Sequence, residues 1–135
     1  MSAETSKLVL ADDDETVRNL LTMHAERGGF AVSCGENGAE ALELVTEDTD
    51  VVLLDLQMPV LDGFGALERL GREHPGVPAI VLTSVDEAAE AVKAMKMGAL
   101  DYLTKPFDPE ELLAVLRNAK RLRRAESTQS RARRP

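Results

Sequence analysis

The chain has one cysteine, no tryptophan, one tyrosine and three phenylalanines. Cys34 therefore cannot close an internal disulfide, and no CxxC or Cys/His spacing offers it to a structural metal. A lone thiol suits a reducing compartment, and the residue type reads as a small core side chain. His24 and His74 are the only histidines, and neither stands in a pattern with a carboxylate or a nucleophile. No apolar run approaches the roughly 20 residues that span a bilayer. The opening MSAETSK has no basic stretch followed by an apolar one, so no secretory signal is expected. These absences together lead to the expectation of a cytoplasmic protein without a membrane segment.

Positive charge is also scarce, except in one place. The net charge of −8 over 135 residues hides a split. Residues 117–135, RNAKRLRRAESTQSRARRP, carry eight Arg or Lys against Glu126 alone, which leaves eight basic and 23 acidic residues in the first 116. An acidic body therefore ends in a basic segment. With 44% hydrophobic residues, the body is long enough for one compact domain. The expected boundaries are an N-terminal extension at 1–6, a domain at 7–124, and a basic, flexible tail at 125–135.

What the body does contain is alternation. KLVLA (7–11), FAVSC (30–34), DVVLLD (50–55), AIVLTS (79–84) and ALDYLT (99–104) read as strands. The first, third and fourth are continuously apolar, as strands covered on both faces are. Segments of helical spacing follow each of them. DETVRNLLTMHAERGG sets Val17, Leu20, Leu21 and His24 on one side and stops at Gly28 and Gly29. NGAEALELV opens on Asn37 with Glu40 three residues on, and Ser84 with Glu87 shows the same capping-box spacing before AAEAVKAMKMG. DPEELLAVLRNAKRLRRAE has Asp108 as a cap, Pro109 in the first turn, and acids ahead of bases. Strand followed by helix, five times over, calls for a parallel sheet with helices on both faces and right-handed crossovers.

Chemistry in such a sheet gathers beyond the carboxyl ends of the strands. There the sequence supplies Asp12, Asp13 and Asp14 after the first strand, and Asp55 at the end of the third. Thr83 and Ser84 end the fourth strand, and Lys105–Pro106 follows the fifth. Two carboxylates about 5 Å apart repel by roughly 3 kcal/mol at an effective dielectric of 20. Asp12, Asp13 and Asp55 together therefore favour either a raised pKa or a bound cation, and hard oxygen ligands suit Mg2+. Thr83 brings a hydroxyl and Lys105 a compact ammonium suited to phosphate. Carboxylate, divalent cation, hydroxyl and ammonium are the parts needed for phosphoryl transfer onto an aspartate. Asp14 with Glu15 reads as a helix cap, and Met95 and Met97 as packing.

LVLADDD, VVLLDLQMPVLDG, IVLTS and GALDYLTKPF, in this order and spacing, resemble the response-regulator receiver domains of bacterial two-component signalling. The likeness covers roughly residues 7–120, and the motifs are far more specific jointly than singly. It implies a flavodoxin-like, doubly wound five-stranded parallel sheet of strand order 2-1-3-4-5. It further implies that Asp55 is the phosphoacceptor, with Mg2+ held by Asp12, Asp13, Asp55 and the backbone carbonyl of Gln57. Thr83 and Lys105 would contact the phosphoryl group, Tyr102 would be the mobile aromatic of the switch, and the Lys105–Pro106 bond would be cis. Met58, Pro59 and Gly63 match the family, and Ser84 stands where alanine is frequent. From residue type alone, Tyr102 is a sheet-edge aromatic.

By the same resemblance the phosphoryl donor is a histidine kinase or a histidine phosphotransfer protein. The output is a protein target at the face of the fourth helix, fifth strand and fifth helix. Gln57 and Val85, which tune phosphoryl lifetime in the family, carry no acid or base here, and slow self-hydrolysis is expected. The chain then reads as a single-domain switch, monomeric or dimerising on phosphorylation, that catalyses only its own phosphorylation and slow dephosphorylation. The rival reading is a Mg2+-dependent aspartyl-phosphate hydrolase of small esters, but no second acid follows Asp55 to serve as general acid–base. The basic tail reads as a solvated helix end, with binding to nucleic acid, an anionic partner or lipid as the alternative.

Overall fold

The computed structural model describes the backbone of residues 5–132 and the side chains of residues 5–126. Among these, strands β1 (Ser6–Ala11), β2 (Phe30–Gly35), β3 (Val51–Asp55), β4 (Ala79–Ser84) and β5 (Asp101–Lys105) alternate with helices. The helices are α1 (Glu15–Arg27), α2 (Gly38–Leu44), α3 (Gly63–Glu73), α4 (Ala88–Lys96) and α5 (Pro109–Ala132). All neighbouring strands pair in parallel, in the order β2-β1-β3-β4-β5. The expected flavodoxin-like arrangement is therefore the observed one.

The two-residue period of a strand sorts the apolar run of β3 between two cores. Val52 and Leu54 join Val9, Ala11, Ala79 and Val81 beneath α2, α3 and α4. Val51 and Leu53 join Leu8, Leu10, Ile80, Leu82 and Leu103 beneath α1 and α5. Continuous hydrophobicity thus reflects burial on both faces, each full leucine burial contributing about 1.5–3 kcal/mol. Asp55 ends this strand at the sheet's carboxyl edge.

Local signals explain most helix starts. Asp14 caps α1 by accepting from the Thr16 and Val17 amides at 2.9 and 3.3 Å. Asn37 caps α2 through the Glu40 amide at 2.9 Å, and the Glu40 carboxylate reaches back to the Glu36 amide. Asp108 accepts from the Glu110 amide at the start of α5. Asp62 caps α3 through the Gly65 amide, a start signal the sequence reading passed over.

Several expectations are corrected. Ser84 and Glu87 do not form a capping box: Ser84 still belongs to β4, its hydroxyl donates to the Glu87 carboxylate at 2.8 Å, and α4 begins only at Ala88 with no side-chain cap. Cys34 is exposed rather than in the core, because β2 is an edge strand whose register turns that side chain outward beside the Thr22 hydroxyl, 3.2 Å away. Met95 and Met97 are likewise exposed, since α4 buries only two residues, Ala91 and Ala94. On α1 Leu21 and Ala25 are buried and Val17 packs against the same core, as expected for Val17 and Leu21, whereas Leu20 faces out.

At the other edge α5 runs on through Ala132, past the expected domain end at residue 124. Its basic residues clamp the amino ends of the strands. Arg124 holds the buried Asp50 carboxylate with two bonds of 3.0 and 3.1 Å, Asp50 also accepts from the Lys7 amide, and Lys120 donates to Ser6. Part of the basic excess therefore secures the helix to the sheet. Residues 1–4 of the expected extension and 133–135 of the expected tail lie outside the described residues, as do the side chains from 127 onward.

Candidate phosphoryl-acceptor site

Parallel register brings the strand ends level. Ala11 pairs with Leu54, Asp55 with Leu82, and Ser84 with Lys105. Residues from four separate stretches of chain thereby meet at one edge of the sheet, beyond β1, β3, β4 and β5. Asp12, Asp13 and Asp55 each present a carboxylate oxygen, and these lie within 4.8 Å of one another. Asp12 and Asp55 are buried, whereas Asp13 faces solvent.

The Lys105 ammonium bridges the two buried acids, 3.0 Å from Asp12 and 3.4 Å from Asp55. The bond from Lys105 to Pro106 is cis, as the resemblance implied. One positive charge does not neutralise three carboxylates. Burial first, then the neighbouring Asp12, push the Asp55 pKa up to about 6, against the pull of Lys105 and the Gln57 amide. For Lys105, burial pulls the ammonium down, but its hydrogen bond to Asp12 and the charges on both acids outweigh it, and its pKa lies above the usual lysine value. Oδ2 of Asp12, the oxygen 3.0 Å from the Lys105 ammonium, is fully buried and has no further partner among the described residues, while its other oxygen takes the Asp14 amide at 2.9 Å. A buried carboxylate oxygen with unused lone pairs, beside two further acids, fits a hard divalent cation.

Thr83 is buried at the end of β4, and its hydroxyl is long-bonded to the carbonyls of Glu87 (3.4 Å) and Ser84 (3.5 Å). Such loose bonds leave the hydroxyl ready to change partners. Tyr102 lies exposed on the edge strand β5. Gln57 approaches Asp55 through its backbone amide at 3.4 Å, while its side chain leaves the pocket and donates to Glu87 and to Glu90, the latter at 3.4 Å. The loop beyond it holds Val60 at φ 70, a left-handed conformation that costs a β-branched residue of order 1–3 kcal/mol.

The sequence did not point to Arg18, and it offered Glu87 only as part of a helix cap, not as the partner of Gln57. Arg18 donates to the Asp12 carbonyl at 2.8 Å from one turn into α1, tying the acidic loop to that helix. Nothing but its place after a capping aspartate marks it in the sequence. The Ser84–Glu87 spacing was visible, but its meaning depended on where β4 ends.

Comparison with known proteins agrees with this geometry. The family model of the response regulator receiver domain matches residues 8–117. The transcriptional regulatory protein SrrA of Staphylococcus aureus is 40% identical over 125 residues, 92% of this chain and 51% of the relative. The chain thus spans about half the length of that curated relative. A response regulator receiver domain protein from Clostridium thermocellum superposes with a TM-score of 0.83 at 30% identity, covering 89% of this chain and 98% of the other. A Francisella response regulator receiver domain gives 0.79 at 32% identity, covering 86% and 97%. The chain belongs to the response regulator receiver domain family of two-component systems.

Proposed function

We propose that this receiver is a phosphorylation switch in which Asp55 takes a phosphoryl group from a histidine kinase or histidine phosphotransfer protein. The observation that carries this reading is the meeting of three carboxylates within 4.8 Å with a lysine ammonium against the two buried ones. Asp12, Asp13, Asp55 and the Gln57 backbone carbonyl are the ligands proposed for Mg2+, which supplies charge neutralisation to carboxylates and phosphoryl oxygens alike. An Asp55 oxygen forms the new bond to phosphorus as the donor's nitrogen–phosphorus bond breaks, and the departing imidazole takes up a proton. Lys105 and the Thr83 hydroxyl bind the phosphoryl oxygens. As Thr83 turns inward it vacates space for Tyr102, and the face of α4, β5 and α5 changes for a partner to read. A coupling of about 1–3 kcal/mol is enough for a partner to distinguish the two states.

The test is Mg2+-dependent labelling of the unaltered chain by a small acyl phosphate, followed by a pull-down comparing modified with unmodified protein. Label confined to Asp55 and a partner retained by only one state are expected. Rapid multiple turnover of a chromogenic phosphate ester would instead favour the hydrolase reading. Val85 is exposed and apolar, and the Gln57 side chain is engaged elsewhere. Neither activates water, so the label should decay over many minutes, and a lifetime of seconds would contradict that expectation.

Mg2+ affinity should also depend on pH. With the Asp55 pKa raised to about 6, protons compete for the site below that value. Affinity is expected to be near its plateau at pH 7.5 and to fall by up to about tenfold per pH unit well below pH 6. Calorimetric titration at pH 5, 6 and 7.5 measures it; equal affinities throughout would remove Asp55 from the ligand set.

A further inference from the structure

Glu87 occupies a junction that the phosphorylation chemistry does not itself require. Its carboxylate takes the Gln57 side-chain amide on one side and the Ser84 hydroxyl, at 2.8 Å, on the other. Its main-chain carbonyl accepts from the Thr83 hydroxyl at 3.4 Å. Glu90, one turn further along, adds a second acceptor for the same Gln57 amide at 3.4 Å. The residue two places after Asp55 and the hydroxyl at the end of β4 are therefore both tied to the start of α4. That helix is otherwise lightly held among the described residues: it buries only Ala91 and Ala94, and Lys93 lies 4.4 Å over the Phe64 ring. Where apolar burial is small, a few polar tethers account for much of an element's attachment.

The geometry points to Glu87 as a positioning residue, a latch that holds Gln57, α4 and Thr83 in the unphosphorylated arrangement. The inference rests on the function proposed above, because it concerns what must move when Asp55 is modified. For Thr83 to turn to a phosphoryl oxygen, its hydroxyl must leave the Glu87 carbonyl. The Gln57 tether keeps that carbonyl in place and so opposes the turn. Ser84 contributes by fixing the Glu87 rotamer. The tether resists the change; it does not touch the reacting atoms.

Two substitutions separate the latch from simple charge. Glu87→Ala removes both the acceptor and a negative charge near the site, whereas Glu87→Gln removes the charge and keeps an acceptor oxygen. Phosphoryl uptake from acetyl phosphate with saturating Mg2+ should quicken by about fivefold in Glu87→Ala, within the range of ordinary allosteric couplings. Glu87→Gln should stay close to the unaltered rate, and the Mg2+ affinity of both should match the unaltered chain. A second readout needs no phosphorylation. Gln57 and Gln129 are the only glutamines, so the Gln57 side-chain amide is readily assigned by NMR. Its resonance should move in Glu87→Ala and be restored towards its original position in Glu87→Gln. Unchanged uptake in Glu87→Ala, equal acceleration in both variants, or an unmoved Gln57 resonance in Glu87→Ala overturns the latch. Absence of label in the unaltered chain overturns the proposed function and the coupling with it, and thus identifies a different failure.

Discussion

Asp55→Asn is expected to abolish phosphoryl acceptance while making the metal-free protein more stable at neutral pH. The two effects have one origin. Asp55 is buried at the end of an apolar strand with Asp12 beside it, and these raise its pKa from 3.8 to about 6. An acid whose folded pKa lies above its unfolded value binds more protons in the folded state across that interval. The contribution to stability is therefore fully present below about pH 3.8 and is lost as pH rises through about 6. Above that the ionised carboxylate opposes folding, by at most about 3 kcal/mol for a shift of this size. Asparagine keeps the shape and removes the charge, at the expense of the Lys105 attraction, so a net gain of about 1–3 kcal/mol is expected. Urea unfolding of both proteins without Mg2+ at pH 5 and pH 7.5 should show the difference growing with pH. Undiminished labelling of the asparagine variant would remove Asp55 as acceptor. A variant less stable than its parent at pH 7.5 would show that the carboxylate is not held at an electrostatic cost.

That cost is what made the site legible in the sequence. An aspartate closing VVLLD is anomalous as core and sensible only at a rim where a cation can reach it. Once strand and helix alternate, the rim is common to every strand end, and Asp12, Asp13, Thr83 and Lys105 fall beside it. Long-range register did the rest, and register follows from covering both faces of β1, β3 and β4. What stayed hidden depended on position within the sheet rather than on pattern. Cys34 and Leu53 are both apolar strand residues, yet one lies on an edge strand and the other between two cores. Ser84 and Glu87 have the spacing of a helix cap, but β4 continues to Ser84 and turns the same pair into a link across the mouth of the site. Arg123 and Arg124 looked like part of a solvated run. Arg124 grips Asp50, and Arg123 donates to the Glu47 carbonyl at 3.0 Å, partners some seventy residues away that no local pattern could name.

Gly63→Ala should damage the fold and the site together, although the change adds one methyl group. Gly63 opens α3 directly beneath the end of β3, where its amide donates to the Leu56 carbonyl at 3.1 Å. A Cβ built there would meet the Asp55 carbonyl oxygen at 2.5 Å and the Leu56 Cα at 2.7 Å, both backbone atoms that no rotamer change can move. Either α3 must withdraw or the end of β3 must shift and carry the Asp55 side chain with it. Overpacking of this kind costs about 1–3 kcal/mol, and here the displaced strand end bears the proposed acceptor. The expected result is a drop in urea midpoint together with at least tenfold slower labelling, measured at a temperature where the variant remains folded. Gly71→Ala in the same helix is the control. Its added Cβ has nothing within 4 Å and Gly71 is exposed, so helix propensity alone should raise stability by about 1 kcal/mol with labelling unchanged. If both alanines behaved alike, close approach at Gly63 would not be what sets the height of Asp55 above the sheet. If only the first slowed labelling, the contact between one glycine and the strand beneath it would be what holds the acceptor level with Asp12 and Lys105.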